Sequence, residues 1–201
     1  METNLDDIKH IRSMMERSSK FLSISGISGV LAGTFAIIGA VTAHFVLAGR
    51  IAFTGNLLYD LVIIAAFVLV TAVSGGLIFS ARKAKKNNSK LWQAVTIQIA
   101  KDFCVPLFTG GVLCIILIVK HLSFIVAPVM LIFYGLSLIA AGSRTYNDVK
   151  ILGACEILLG LAAAIVIGYD LVFWGIGFGV LHIVYGILIY YKYDMKSGKN
   201  G

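Results

Sequence analysis

Six long apolar segments restrict this 201-residue chain to a membrane environment. They fall at about 22–47, 57–80, 103–120, 122–142, 149–168 and 171–191. Each is close to the roughly 20 residues that an α-helix needs to cross the hydrocarbon core of a bilayer. A membrane barrel needs strands of alternating polarity, and runs such as LVIIAAFVLV do not alternate. The sequence therefore predicts an all-α integral membrane protein with six transmembrane helices, arranged as three consecutive αα-hairpins.

The composition agrees with this prediction and leaves little chain for anything else. Hydrophobic residues make up 59% of the sequence and charged residues only 13%, about half the charged fraction of a soluble domain. Residues 21–201 are therefore expected to form one six-helix transmembrane domain, with no separate soluble catalytic domain.

Residues 1–20, METNLDDIKHIRSMMERSSK, form a different kind of segment. Leu5, Ile8, Ile11 and Met15 recur at helical spacing among charged residues. This pattern predicts an amphipathic helix that lies in the membrane interface. A soluble helix that packs on a cytoplasmic partner is the alternative.

The basic residues divide unequally between the two sides of the predicted bundle. Fifteen of the seventeen Lys and Arg lie on one side, and only Arg50 and Lys120 lie on the other. Because positive residues favour cytoplasmic connections, both termini are expected in the cytoplasm of a cell (plasma or inner) membrane. The cluster ARKAKKNNSK then faces anionic lipid headgroups. This explanation replaces the nucleic-acid partner that a net charge of +7 would suggest in a soluble protein.

The stretch that follows this cluster, residues 90–102, is too polar to span a membrane. It is predicted either as a short interfacial helix or as a cytoplasmic extension of the third span.

Two sequence offsets relate parts of the chain to one another. An offset of 51 places VMLIFYGLSL at 129–138 over VLHIVYGILI at 180–189, and an offset of 127 places the first span over the fifth. The matched residues are Ile132 with Ile183, Gly135 with Gly186, Gly26 with Gly153, and Gly33 with Gly160. Apolar sequences match easily by chance, so duplication and coincidence both stay open.

The fifth and sixth segments each hold one ionisable residue, Glu156 and His182. Each lies 13 residues from Tyr169, at the turn between the two segments. At about 1.5 Å per residue, both lie about 20 Å in from that turn. Each also shares a helix face with glycines of its own segment: Gly153 and Gly160 for Glu156, Gly179 and Gly186 for His182. If these small-residue faces pack together, Glu156 meets His182 directly or through one water.

Glu156 and His182 are candidates for a proton or ligand site, because ionisable groups in hydrocarbon are costly and usually functional. The imidazole titrates near neutral pH, and Tyr185 and Tyr134 are candidates to extend the pair as a hydrogen-bonded chain. The alternative is a structural clasp that joins the fifth span to the sixth.

A second group of polar residues collects near the predicted outer connections. It comprises His44, Asp60, His121 and Asp170. These residues form either a polar vestibule above the deeper pair or a set of solvated turn residues.

Other chemistries have little support in the sequence. There is no HxxxH, HExxH, CxxC, GxSxG or P-loop pattern. No metal or cofactor is therefore expected, and a membrane enzyme is the least favoured class. No family resemblance is specific enough to name.

The favoured function is a proton-linked transporter or permease of a small solute that uses the Glu156–His182 pair, its ligand being unidentified. The alternative is a non-transporting membrane sensor or accessory subunit, in which the pair is a clasp. Gly29 and Gly33 in the first span suit either a homo-oligomer or packing within the monomer.

Overall fold

The computed structural model describes residues 25–86 and 94–195 of the chain. The amphipathic helix predicted over residues 1–20 lies outside these ranges. Six long helices follow one another in the described part. They are α1 (Gly26–Leu47), α2 (Leu57–Lys86), α3 (Ala94–Val119), α4 (Val126–Gly142), α5 (Asn147–Ile165) and α6 (Asp170–Asp194). A 3₁₀ turn, Ser123–Ile125, leads into α4, and no strand occurs in the described ranges. The predicted all-helical class is confirmed.

Five of the six helices are long and apolar enough to cross a membrane by length and composition. The other, α5, has 19 residues and includes Asp148, Lys150 and Glu156. Every stretch of 18 residues in α5 contains these three charged residues, whereas each of the other five helices has such a stretch with at most two. The bounds of α5 nevertheless lie close to the predicted fifth span. The chain is thus compatible with a bundle of five to six membrane helices.

Helix α3 begins well before its apolar part. It runs without interruption from Ala94 through Pro106 to Val119. From Ala94 onward, the polar stretch before the third span is therefore an extension of that span and not a separate interfacial helix.

Neighbouring helices in the sequence do not all pair in the same way. α1 packs against α2, and α3 packs against α4, but α5 packs mainly against α4. α6 packs mainly against α1 and makes only limited contact with α5. The arrangement in three consecutive hairpins is therefore not confirmed.

Two close helix contacts, the α4–α5 seam and the α1–α6 seam, are built alike. A Cβ placed on Gly160 would lie 2.7 Å from Ile132 Cγ1, and one on Gly33 would lie 2.7 Å from Ile183 Cγ1. The backbone of α4 comes equally close to α5 at Gly153 and Gly135, as does the backbone of α6 to α1 at Gly26 and Gly186. The contact residues of α4 correspond to those of α6 at the offset of 51, and those of α1 correspond to those of α5 at the offset of 127. The contact geometry therefore supports an internal repeat.

The α1–α6 seam also changes the interpretation of the first-span glycines. Gly29 lies against the backbone of Gly186, and Gly33 lies against that of Gly179. This stripe is thus used within one chain. It supplies no argument for a homo-oligomer.

The two ends of the bundle differ in character. The turn end holds connections 48–56, 120–122 and 166–169, while the basic end holds connection 143–146 and the start of α1. Arg82, Lys83, Lys85, Arg144 and Lys192 lie near the basic end.

Candidate functional site

Glu156 and His182 lie at the midpoints of their helices. Glu156 is nine residues from either end of α5, and His182 is twelve residues from either end of α6. The Glu156 side chain is fully buried, and His182 is 7% exposed. Both groups therefore lie in the most enclosed part of the bundle.

The predicted contact between the two side chains is present. His182 Nδ1 lies 3.5 Å from Glu156 Oε1, a separation at the outer limit for a hydrogen bond. Neither carboxyl oxygen of Glu156 has a hydrogen-bond partner in the described part of the chain. The two groups touch, but the carboxyl is not satisfied by the imidazole.

Both nitrogens of His182 are engaged elsewhere. Nδ1–H donates to the carbonyl oxygen of Gly177 at 3.0 Å, and Nε2 lies 2.8 Å from the Tyr134 hydroxyl. Because a carbonyl only accepts, Nδ1 carries a hydrogen. In the neutral ring, Nε2 therefore accepts from Tyr134. The imidazole thus bridges α4 and α6.

A π-helical segment of α6, Gly175–Leu181, closes over the carboxyl. A Cβ on Gly177 would lie 2.6 Å from Glu156 Oε2 and 3.2 Å from Leu159 Cδ2. Leu131 of α4 is also in contact at this point. A Cβ here would crowd the ends of three side chains, so glycine gives the carboxyl the most room. π segments inside α-helices are frequent at functional sites.

One of the two reasons for which the sequence predicted the Glu156–His182 contact was wrong. The glycine faces of α5 and α6 do not pack on each other: Gly153 and Gly160 contact α4, while Gly179 and Gly186 contact α1. The two side chains meet because Gly177 brings α6 close to α5. Equal distance from the turn was the valid half of the prediction.

The two tyrosines of the predicted site differ in their contact with His182. Both pack against a cluster formed by Leu138, Tyr146, Val149, Leu152 and Ile189. Tyr134 also hydrogen bonds to His182, as expected for a member of the hydrogen-bonded chain. Within residues 25–86 and 94–195, no hydrogen bond joins Tyr185 to Tyr134 or His182.

The rings of Tyr134 and Phe178 have centroids 5.4 Å and 6.1 Å from that of His182, and they belong to an aromatic cluster that the sequence interpretation missed. The Tyr134 and Phe178 centroids lie 5.0 Å apart, those of Trp174 and Phe178 lie 5.1 Å apart, and those of Phe103 and Tyr134 lie 5.9 Å apart. The signal was available, since Trp174, Phe178 and His182 recur at a spacing of four on one helix face.

The four residues of the predicted outer cluster do not form one site. Among described residues, no hydrogen bond or ion pair joins any two of them. Asp60 is 1% exposed and accepts hydrogen bonds from the backbone N–H groups of Phe53 and Thr54 and from the Thr54 hydroxyl. It therefore holds the connection that precedes α2.

The other three members of the outer cluster differ from Asp60 and from each other. His44 and His121 are exposed. Asp170 begins α6 and keeps Oδ1 buried with no hydrogen-bond partner among the described residues.

A polar network at the basic end was not foreseen from the sequence. Asp194 accepts hydrogen bonds from Lys83 Nζ at 2.6 Å and from the Gly26 N–H at 3.0 Å, which ties the end of α6 to α2 and to the start of α1. Asp148 accepts from Lys192 at 2.9 Å and from Tyr193 at 2.8 Å.

Tyr146, in the connection before α5, completes this network. Its ring stacks on Tyr193 with centroids 3.9 Å apart. Burial raises the pKa of its hydroxyl, and the carboxylates of Asp194 and Asp148 raise it further. Tyr146 is therefore neutral over the physiological pH range.

Metal ligation has no geometric basis in the described ranges. No group of three or more His, Cys, Asp or Glu side chains there is arranged to hold a metal ion. Cys104, Cys114 and Cys155 are free thiols.

Comparison with protein-family models, with curated proteins and with solved structures finds no match to this chain.

Proposed function

We propose that the protein is a proton-linked transporter or permease of a small solute, in which Glu156 and His182 form the protonatable site. The observation that carries the proposal is the Glu156 carboxyl, which is fully buried and has no donor for either oxygen among the described residues. A buried polar group left without a partner costs about 1–3 kcal/mol. A side chain kept at that cost suits a ligand-exchanging role better than a structural one.

Proton exchange follows from the surroundings of the carboxyl. A bare carboxylate is unstable in an apolar enclosure, so a proton or another cation neutralises it. His182 faces it from α6, and Tyr134 lies behind His182 on α4. The apolar portions of the six helices contain no Lys or Arg, so no permanent cation neutralises the carboxyl there. These portions are 27–46, 61–81, 103–119, 126–142, 151–165 and 171–191.

A structural clasp is the second candidate, and one observation favours it. His182 uses both ring nitrogens to link Tyr134 of α4 to Gly177 of α6. This bridge supports a non-transporting sensor or accessory subunit. The bridge explains why the chain has a histidine at position 182. It does not explain why the chain keeps a buried carboxyl at Glu156 without hydrogen-bond partners among the described residues.

The proposal includes an orientation and a setting. The protein lies in a plasma or inner membrane, with its basic end at the anionic lipid headgroups of the cytoplasmic face. Both termini are then in the cytoplasm. The proposed partners of the chain are a small-molecule ligand and further copies of itself in a homo-oligomer.

The test is proton movement in proteoliposomes that contain a trapped pH-sensitive dye. Candidate solutes are added one class at a time under an imposed pH gradient. We expect at least one class to accelerate dissipation of the gradient in the wild type and not in Glu156→Gln. Asp102→Asn, which changes a partly exposed carboxylate at the basic end, is the matched control and retains the response.

Two outcomes separate the candidates. A folded Glu156→Gln protein that moves protons like the wild type contradicts the transport proposal. A clasp instead predicts that Glu156→Gln and His182→Ala each lower the unfolding temperature more than the double variant does.

A further inference from the structure

One row of side chains on α6 leads from the turn end to the buried pair. Asp170, Trp174, Phe178 and His182 recur every four residues and so share one helix face. The ring centroids of Trp174 and Phe178 lie 5.1 Å apart and those of Phe178 and His182 lie 6.1 Å apart, so these three rings form a continuous row. Tyr134 adds a ring from α4.

Unsatisfied carboxyl groups mark both ends of this aromatic row. In the described residues, the buried side-chain oxygen and nitrogen atoms without a hydrogen-bond partner are both oxygens of Glu156 and Oδ1 of Asp170. Asp170 starts the row, and Glu156 lies beside His182 at its inner end. Two independent features, buried carboxyl oxygens without donors and a series of rings, therefore meet along the same helix face.

The charge of the surroundings selects the sign of a ligand. The apolar portions of the six helices contain no Lys or Arg, and Glu156 is their one Asp or Glu. An anionic ligand would find no Lys or Arg there, and both ring nitrogens of His182 are already engaged by Tyr134 and Gly177. A cation finds a carboxylate.

The chemistry of the lining selects the kind of cation. A small metal ion needs several oxygen or nitrogen ligands, and the described residues include no group of three His, Cys, Asp or Glu side chains that could hold one. An organic cation needs less, because the faces of aromatic rings attract it and a single carboxylate balances its charge. Trp174, Phe178 and Tyr134 supply those rings.

We propose that the Glu156 site takes a lipophilic organic cation, such as a quaternary phosphonium or ammonium ion, which reaches it along the Asp170–Trp174–Phe178 row. The proposal rests on the proposed function and names the class of its solute. Binding replaces the Glu156 proton by the organic cation, so one proton leaves for each monovalent cation bound and the charge in the bundle is unchanged. Since Gly177 closes over the carboxyl, uptake requires α6 to move away from α5, with which it makes limited contact.

The test uses tetraphenylphosphonium as probe and tetraphenylborate, of similar size and opposite charge, as control ligand. Trp92→Phe leaves Trp174 as the one tryptophan, so its fluorescence in detergent reports binding along the row. We expect saturable quenching by tetraphenylphosphonium and none by tetraphenylborate. Affinity falls at least about tenfold in Glu156→Gln and roughly threefold to tenfold in Phe178→Leu. Asp102→Asn leaves it unchanged.

The proposal is overturned if Glu156→Gln and Phe178→Leu both bind the probe as the wild type does, or if tetraphenylborate saturates equally. If Glu156→Gln does not fold, the affinity of Phe178→Leu and the comparison of tetraphenylphosphonium with tetraphenylborate still test the proposal. Failure of the proposed function looks different: the probe binds in a Glu156-dependent way, but a weakly buffered sample releases no proton. Proton flux driven only by neutral or anionic solutes supports the transporter and rejects the organic cation.

Discussion

The basic end and the centre of the bundle both hold acidic groups, but they treat them in opposite ways. At the basic end, Asp194 and Asp148 each accept hydrogen bonds from at least two donors. At the centre, Glu156 is more deeply buried and has no donor in the described ranges. The first arrangement joins helices to one another. The second leaves binding capacity unused, which is what a ligand or proton site requires.

The largest expected effect tests the structural side of this comparison. Asp194→Asn keeps an acceptor for the Gly26 N–H but removes the charge that faces Lys83. Both side chains are 13% exposed, so we expect a loss of about 3 kcal/mol, the lower limit for breaking a buried pair. Thermal unfolding in detergent measures it. An unchanged unfolding temperature would show that the network does not hold the bundle together.

A second substitution tests the enclosure of Glu156. In Gly177→Ala, the new methyl group contacts Leu131 and Glu156 Oε2, and overpacking of this kind costs about 2 kcal/mol. Gly76→Ala is the matched control, because a Cβ there meets nothing within 4 Å. We expect thermal unfolding to show a lower unfolding temperature for Gly177→Ala and no decrease for Gly76→Ala. Equal temperatures would mean that α6 is not tightly seated at Gly177.

The sharpest contrast comes from Glu156→Met, which replaces the carboxyl by an apolar group of similar length. Since no donor loses a partner, we expect stability to stay the same or rise by about 1 kcal/mol, while proton-linked transport is lost. His182→Leu is the companion variant and lowers stability, because it leaves Tyr134 and the Gly177 carbonyl without their partner. If Glu156→Met destabilises as strongly as Asp194→Asn, the centre is a clasp after all.

The smallest effect is expected at the exposed ion pair of Arg144 with Asp102. The side chains are 46% and 27% exposed, and such pairs contribute less than about 1 kcal/mol. Arg144→Gln should shift the unfolding temperature by no more than the error of the measurement. A large shift would extend the structural network to this part of the basic end.

Helix positions and the central contact were accessible from the sequence, because both depend on simple counting. Apolar run length located the six helices, and equal distance from Tyr169 placed Glu156 opposite His182. The choice of packing partners was not accessible in this way. Glycine marks a close approach, but it does not say which helix approaches, and α5 and α6 used their glycines against α4 and α1.

The polar groups at the helix ends were harder still. Asp60 was assigned to an outer cluster, yet it folds back on Thr54. Asp194 binds groups more than a hundred residues away in sequence. Pairings of this kind depend on which ends meet in three dimensions. The local pattern around each residue does not contain that information.

The α1–α6 seam has a consequence for biosynthesis. Helix α1 emerges long before α6, with most of the described chain between them, and its glycines lie against α6. At about 5–20 residues per second, α1 waits on the order of ten seconds for that partner. During this interval its open glycine face is exposed to lipid or to other helices of the membrane. Helix α6, which covers this glycine face, also carries His182. Packing of α6 against α1 and formation of the Glu156–His182 contact therefore belong to the same step of biosynthesis.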